Sequence, residues 1–329
     1  MIRVAMLSFW HVHAGDYVKQ ATAHPDVEIV AAWDEDPERG RARAADAGAE
    51  FVDDLDTLLA RDDVDAVICD TPTTLHPEVL VKAAKAGKHI FTEKVLATTI
   101  KDANSIKAAV DEAGIVLTLS LPRVYEAYTP TIKGIIDSGA LGEITQTRAR
   151  VSHGGSIDNW LPEHFYDPET TGGGAMIDFG CHPMYLNRIF LGGMPESVTS
   201  TFGFVTGRAV EDNACVVLKY ASGAFGIVEA GFVNRMSPAS IEVHGTDGSL
   251  LFGTPDAKLL VRAKGDDGFV EVPLVDREPM AFVQWIDHIK AGTTFDDNVA
   301  LGLDLTRLME AATISARSGE AVAISSLAE

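Results

Sequence analysis

Cysteine is scarce: Cys69, Cys181 and Cys215 are the three in 329 residues. An odd number of widely spaced thiols is no disulfide framework, and reduced cysteines in a cytoplasm are the expectation. Positive charge is short as well, since 27 Lys and Arg stand against 48 Asp and Glu and leave a formal charge of -21. Such a surface repels phosphate backbones and anionic headgroups, so neither nucleic acid nor a membrane is expected as a partner. No apolar run is long enough to span a bilayer, and Met1-Ile2-Arg3-Val4 passes into a strand pattern without the apolar core of a signal peptide. Repeats, low-complexity tracts and polar linkers are missing too. What remains is an ordinary globular composition, 46% hydrophobic and 23% charged, in a chain long enough for two domains that take a small neutral ligand.

The first third alternates short β-branched runs with amphipathic ones. Residues 3–7, 28–33, 66–69, 88–91 and 115–119 read as strands, and 14–23, 37–47, 54–60, 77–86 and 100–112 as helices. That order predicts a parallel sheet covered by helices on both faces, with a ligand crevice at the carboxyl ends of its strands. From about residue 143 the pattern changes to strands joined by tight turns, at 144–152, 197–205, 214–220, 224–232 and 240–244, with more near Leu250, Leu259 and Phe269. A mostly antiparallel open sheet and a helical stretch over 280–318 are expected there. The fold class is therefore α/β, with a dinucleotide-binding domain at 1–121 and a substrate-binding and oligomerisation domain at 122–329. An open sheet of this size needs a cover for its apolar face, which predicts a homodimer or homotetramer.

One absence falls where chemistry is expected. The first strand of a dinucleotide fold is followed by G-x-G-x-x-G, whereas here Ser8-Phe9-Trp10-His11-Val12-His13-Ala14-Gly15 follows it. Ser8 is small enough for such a turn; Trp10 and His13 are bulky. His11-x-His13 also reads as half of a metal pair, but without a third ligand no metal site is assigned. Asp34 ends the second strand, about twenty-five residues after the first, where such a fold places the acid that accepts the adenosine ribose hydroxyls and repels the extra phosphate of NADP. NAD is thus favoured, despite nearby Arg39 and Arg41.

Two further strand ends carry candidates. Thr71-Pro72 makes a rigid turn, Thr73 or Thr74 can cap the next helix, and His76 and Lys94 are expected to face the crevice with Glu93 orienting Lys94 or touching ribose. The run Gly172-Gly173-Gly174-Ala175-Met176-Ile177-Asp178-Phe179-Gly180-Cys181-His182 sets a carboxylate and an imidazole four residues apart behind glycines. In a helix they would share one face, either as a core histidine with its acid or as a pair that holds and deprotonates a hydroxyl. Arg123, Tyr125, His153 and Trp160 are further candidates for a sugar site, with Arg150 nearby, because aromatic faces stack on sugar CH groups.

Together, Thr71-Pro72 to His76, Ala86-Gly87-Lys88-His89 leading to Glu93-Lys94, Gly139-Ala140-Leu141-Gly142 and the segment from Gly172 to His182 resemble the Gfo/Idh/MocA oxidoreductases over nearly the whole length. The resemblance implies an NAD(P)-binding Rossmann domain, an α/β domain used in oligomerisation, and a sugar, polyol or cyclitol substrate. It implies Lys94, Asp178 and His182 as the catalytic group, with a hydroxyl held by Lys94 and Asp178 and its proton taken by His182 or Lys94. It also implies Ser8, Phe9, His11, His13, Asp34, Thr71, Pro72, His76, Glu93 and Lys94 around the cofactor. Val95 stands where the family has proline, and Pro183-Met184-Tyr185 where many relatives carry a further acid. Two other classes stay open: a redox-neutral relative that retains its NAD during hydrolysis or epimerisation, and a metal-dependent hydrolase or lyase built on His11 and His13.

Overall fold

The computed structural model describes residues 1–236, 239–253 and 256–328. The chain divides into two compact units, Met1–Ser120 with Met280–Leu303, and Leu121–Pro279 with Asp304–Glu329. Met280–Leu303 thus belongs with the first unit, although the sequence pattern grouped it with 122–329.

The first unit runs β1 (Ile2–Leu7), α1 (Ala14–Ala23), β2 (Val27–Trp33), α2 (Pro37–Ala47), β3 (Glu50–Phe51), α3 (Leu55–Leu59), β4 (Ala66–Cys69), α4 (His76–Lys85), β5 (His89–Thr92), α5 (Ile100–Ala113) and β6 (Leu117–Leu119). Its six strands lie in the order β3-β2-β1-β4-β5-β6, all parallel. The order reverses between β1 and β4, so the crevice opens outside their carboxyl ends. Continuous burial of β4, from Ala66 to Cys69, is what helices on both faces impose. The two-residue β3 escaped the sequence pattern because one apolar residue shows no period.

In the second unit come α6 (Tyr128–Asp137), β7 (Ile144–Ser152), the one-turn α7 (Gly155–Asp158) and α8 (Pro168–Thr171), α9 (Cys181–Phe190), β8 (Ser197–Gly203), β9 (Asn213–Lys219), β10 (Phe225–Gly231), β11 (Ser240–Gly245), β12 (Gly248–Phe252), β13 (Leu259–Ala263) and β14 (Val270–Glu271). The chain then returns to the first unit for α10 (Ala281–Ala291) and the start of α11 (Asp296–Ser318), and closes with β15 (Val322–Ala323) in the second. The nine strands lie in the order β14-β13-β12-β11-β7-β10-β9-β8-β15, antiparallel except for the β7–β10 pair. The side chain of Asn187 on α9 donates to Ile227 O of β10 at 3.2 Å and to Pro183 O at 2.7 Å, so α9 lies on the face that Thr147, Ala149 and Val151 share. The opposite face leaves Cys215, Val217 and Phe225 exposed.

The expected single helical stretch over 280–318 is two helices, because Gly292 adopts the left-handed conformation (φ 64°) that ends α10. Phe282 and Trp285 of α10 pack on Phe91 with ring centroids 5.4 and 5.6 Å away, covering β5. The edge strand β6 is closed by a side chain: buried Asn298 of α11 accepts the Leu119 N–H at 2.7 Å and donates to Leu119 O at 3.0 Å, as a neighbouring strand would. No helix among the described residues is long and apolar enough to cross a membrane. Asn298→Leu strands two buried main-chain groups and should lower stability by about 2–4 kcal/mol. A shift in the urea midpoint that, multiplied by m, amounts to less than about 0.5 kcal/mol would remove Asn298 from this role.

Candidate active site

The first turn forms without its glycines. Ser8 is fully buried and takes φ 74°, the left-handed conformation that the fingerprint's first glycine usually supplies. Its hydroxyl oxygen accepts the Trp10 N–H at 3.1 Å, and its own N–H donates to Trp33 O at 2.6 Å, pinning the turn to the end of β2. Of the two bulky residues, Trp10 is packed inside the unit beside Phe9, and His13 is half-buried.

Asp34 secures the same turn. Its Oδ2 accepts the Phe9 N–H at 2.9 Å and Arg39 Nε at 3.0 Å, and its Oδ1 accepts the Asp36 N–H at 2.8 Å and Arg39 Nη2 at 2.6 Å. The acid expected to wait for a ribose therefore holds the turn and is covered by the Arg39 guanidinium; Arg41 pairs instead with Asp53 on the surface. Thr71 and Pro72 are buried, with Thr71 Oγ1 3.3 Å from Cys69 Sγ. Neither Thr73 nor Thr74 sits at the cap of α4: they form a 3-10 turn, and Leu75 occupies the N-cap.

His76 lies against the loop that follows Lys94. Its ring is fully buried, and Nδ1 lies 3.0 Å from Val95 O and 3.2 Å from Leu96 O. Carbonyls only accept, so Nδ1 carries the proton and straps residues 95 and 96, next to Lys94. Burial lowers the His76 pKa, which keeps the ring neutral.

At the end of β5, Glu93 is almost wholly buried, its Oε2 accepting the Lys94 N–H at 2.9 Å. Its Oε1 meets His13 Nδ1 at 2.8 Å and the Tyr17 hydroxyl, and His11 Nδ1 stands 3.8 Å away. Tyr17 reaches on to Ser120 Oγ at 2.6 Å. Burial alone would raise the Glu93 pKa, but the neighbouring His11, His13 and Lys94 hold it well below the ordinary carboxylate range. Lys94 is itself buried.

The second unit holds the other candidates. Residues Met176–Gly180 form a π-helical turn that passes into α9, so Asp178 and His182 are not on a regular α-helical face as expected. Such widened turns recur at functional sites. The glycine run is there for close approach: Glu211 accepts the N–H groups of Gly174 (3.0 Å) and Met176 (2.9 Å), and a Cβ on Gly174 would meet Val210 at 2.9 Å. Half-buried Asp178 acts electrostatically on His153, whose pKa is lowered chiefly by burial with Asp178 opposing. His153 stacks on Phe232 with centroids 4.9 Å apart and touches Phe179 and Trp160, each at 4.7 Å, while Trp160 stays 56% exposed as an aromatic platform. Tyr125 is buried. Arg150 alternates to the face opposite Ala149 and Val151, beside Arg148 and Glu229 and away from α9.

His182 is buried, with Nδ1 3.0 Å from the hydroxyl of Tyr185, and that hydroxyl oxygen accepts the Arg123 N–H at 3.0 Å. Burial pushes the Tyr185 pKa well up, so the phenol keeps its proton and directs it at Nδ1. With Nδ1 accepting from the phenol, the ring hydrogen sits on Nε2. Tyr185 escaped the sequence reading, although its i+3 spacing from His182 was a usable signal.

A parallel sheet in this strand order, with a turn at the end of β1 and an acid at the end of β2, defines a nucleotide-binding oxidoreductase fold. Residues 10–121 match the model of the oxidoreductase family with an NAD-binding Rossmann fold, and 129–251 that of the GFO/IDH/MocA C-terminal domain. The chain is 31% identical over 227 residues to 1,5-anhydro-D-fructose reductase of Ensifer adhaerens, covering 68% of each protein. It is 30% identical over 268 residues to scyllo-inositol 2-dehydrogenase (NAD(+)) of Bacillus subtilis, covering 77% of this chain and 74% of that one. A levoglucosan dehydrogenase structure solved with NADH and levoglucosan superposes with a TM-score of 0.83 over 98% of this chain and 99% of that one; at 22% identity the likeness is one of fold. The chain belongs to the Gfo/Idh/MocA family of oxidoreductases.

In nitrogen-resolved NMR of the free protein, His182 is expected as the Nε2–H tautomer, with Tyr185→Phe admitting the Nδ1–H form. A wild-type ring protonated at Nδ1 would overturn the assignment.

Proposed function

We propose that this protein is an NAD-dependent dehydrogenase that moves a hydride between a sugar, polyol or cyclitol hydroxyl and nicotinamide. The observation that carries the reading is Lys94, buried at the end of β5 with its main chain fixed by Glu93 and its following loop strapped by His76, in a chain of this family. The first unit suits a dinucleotide: Ser8 supplies the left-handed turn, and Asp34 stands at the end of β2. Ser8, Phe9, Thr71 and Pro72 are assigned to the pyrophosphate side, with Asp34 to the adenosine ribose and Glu93 with Lys94 to the nicotinamide ribose. The bound cofactor supplies the hydride acceptor.

The remaining work falls to the protein. Lys94 and Asp178 hold the reacting hydroxyl. His182, a donor at Nε2, orients its oxygen, which leaves Lys94 as the group that takes the proton. Arg123, His153 and Trp160 serve substrate binding, Trp160 through a stacking face. NAD is preferred over NADP because ribose hydroxyls can replace the Arg39 fork on Asp34, and two or four copies assemble through the open face of the nine-stranded sheet.

Lys94→Ala should lower kcat/KM on a sugar and cyclitol panel by about a thousandfold, far more than the loss in NAD affinity from its ribose contact. Unaltered turnover would sink the catalytic assignment, and bound nucleotide that never exchanges would move the reading to a redox-neutral cycle. In titrations of nucleotide-free protein, Asp34→Ala should weaken NAD by about ten- to a hundredfold. Equal binding of NAD and NADP by the wild type would make Arg39 a phosphate acceptor instead.

A further inference from the structure

His11, His13 and Glu93 come from the first turn and from β5, eighty residues apart between His13 and Glu93, yet one ligand atom from each lies within 4.8 Å of the others. His11 and Glu93 are buried and His13 is half-buried. The separations from Glu93 Oε1 are 2.8 Å to His13 Nδ1 and 3.8 Å to His11 Nδ1. Ligand atoms about 2.0–2.1 Å from a tetrahedral metal stand about 3.3 Å apart, so these distances bracket the edge of such a site. The His13 main-chain N–H donates to His11 Nδ1 at 3.3 Å, so that nitrogen carries the lone pair, and a metal bound there would replace this long contact.

A second observation points the same way. Asp70, at the end of β4, is fully buried, and neither of its carboxylate oxygens has a hydrogen-bond partner. Burial, with the Glu93 charge nearby, pushes its pKa well above the ordinary carboxylate range, and its main-chain oxygen accepts the His11 N–H at 3.3 Å. Two acidic groups enclosed this closely, one of them without a partner, form an environment that a divalent cation stabilises. The supporting contacts are also in place, since Tyr17 bonds to Glu93 and is backed by Ser120.

We propose that His11, His13 and Glu93 form a site for a divalent transition metal of borderline softness, zinc, cobalt or nickel, with the buried Asp70 carboxyl ionising to compensate its charge when the ion binds. Imidazole and carboxylate donors select such ions over magnesium or calcium. Three protein ligands leave the fourth position to water or a substrate oxygen. Binding displaces the proton that His13 Nδ1 now donates to Glu93, and that proton leaves to solvent. The site lies within the first unit and shares Glu93 with the ribose contact proposed above, which is why it is tested on nucleotide-free protein.

The test is metal content of tag-free, nucleotide-free protein, dialysed against micromolar zinc, together with the visible spectrum after loading with cobalt(II). One equivalent and the intense d–d absorption of four-coordinate cobalt are expected, with affinity falling at least about tenfold in His11→Ala and in His13→Ala. Circular dichroism and melting of the metal-free proteins identify variants that have failed to fold; for these, His13→Asn and Glu93→Gln replace the alanine changes. No retained metal in the wild type, or undiminished binding in folded variants, overturns the proposal. Neither readout involves turnover, so failure here is distinct from failure of the dehydrogenase reading.

Discussion

A carboxylate withdrawn from water must be satisfied by its neighbours, and the site end of the first unit is arranged around meeting that demand at Glu93. The Lys94 N–H, His13 and the Tyr17 hydroxyl converge on it, drawing the first turn, α1 and the segment after β5 together. Losing any of them leaves a charge partly unpaired in a poor dielectric, where the penalty runs to a few kcal/mol. This explains how a turn without fingerprint glycines keeps its place: Ser8 takes the strained conformation because Asp34, Trp33 and the aromatic packing of Phe9 and Trp10 over-determine it.

Periodicity made the α/β order of the first unit legible, since β4 and β5 are short apolar runs between amphipathic helices whose starts and stops carry their own signals. Asp36 caps α2 and Thr99 caps α5, and glycines in the left-handed region close both. The Ala86-Gly87-Lys88-His89 run that helps to mark the family is structural. Lys88 Nζ donates to Arg61 O and Val64 O at 2.8 Å each, and His89 accepts the Val116 N–H at 3.0 Å.

What the sequence hid was partnership across distance. Nothing near His13 announces Glu93, nothing near the glycine run announces Glu211, and nothing in a helical stretch announces that Asn298 will act as the missing neighbour of β6. Each is a polar group whose role is fixed by what would otherwise be unsatisfied, and that is decided only when the chain has folded. The π-helical turn was hidden for a related reason: the residues from Ala175 to Gly180 fit a regular helix as well as a widened one, and the accommodation to Glu211 is tertiary.

The same logic separates two roles for histidine. His76 is tied at Nδ1 to two carbonyls and is sealed from water, so its chemistry is spent on holding the loop after Lys94. His182 is tied at Nδ1 by a phenol that has to donate, so its remaining nitrogen is set as a donor before any substrate arrives. Sequence alone presents both as histidines beside a motif. Which nitrogen the surrounding protein occupies, and with which kind of partner, determines whether an imidazole can strap a loop, present a hydrogen or release one.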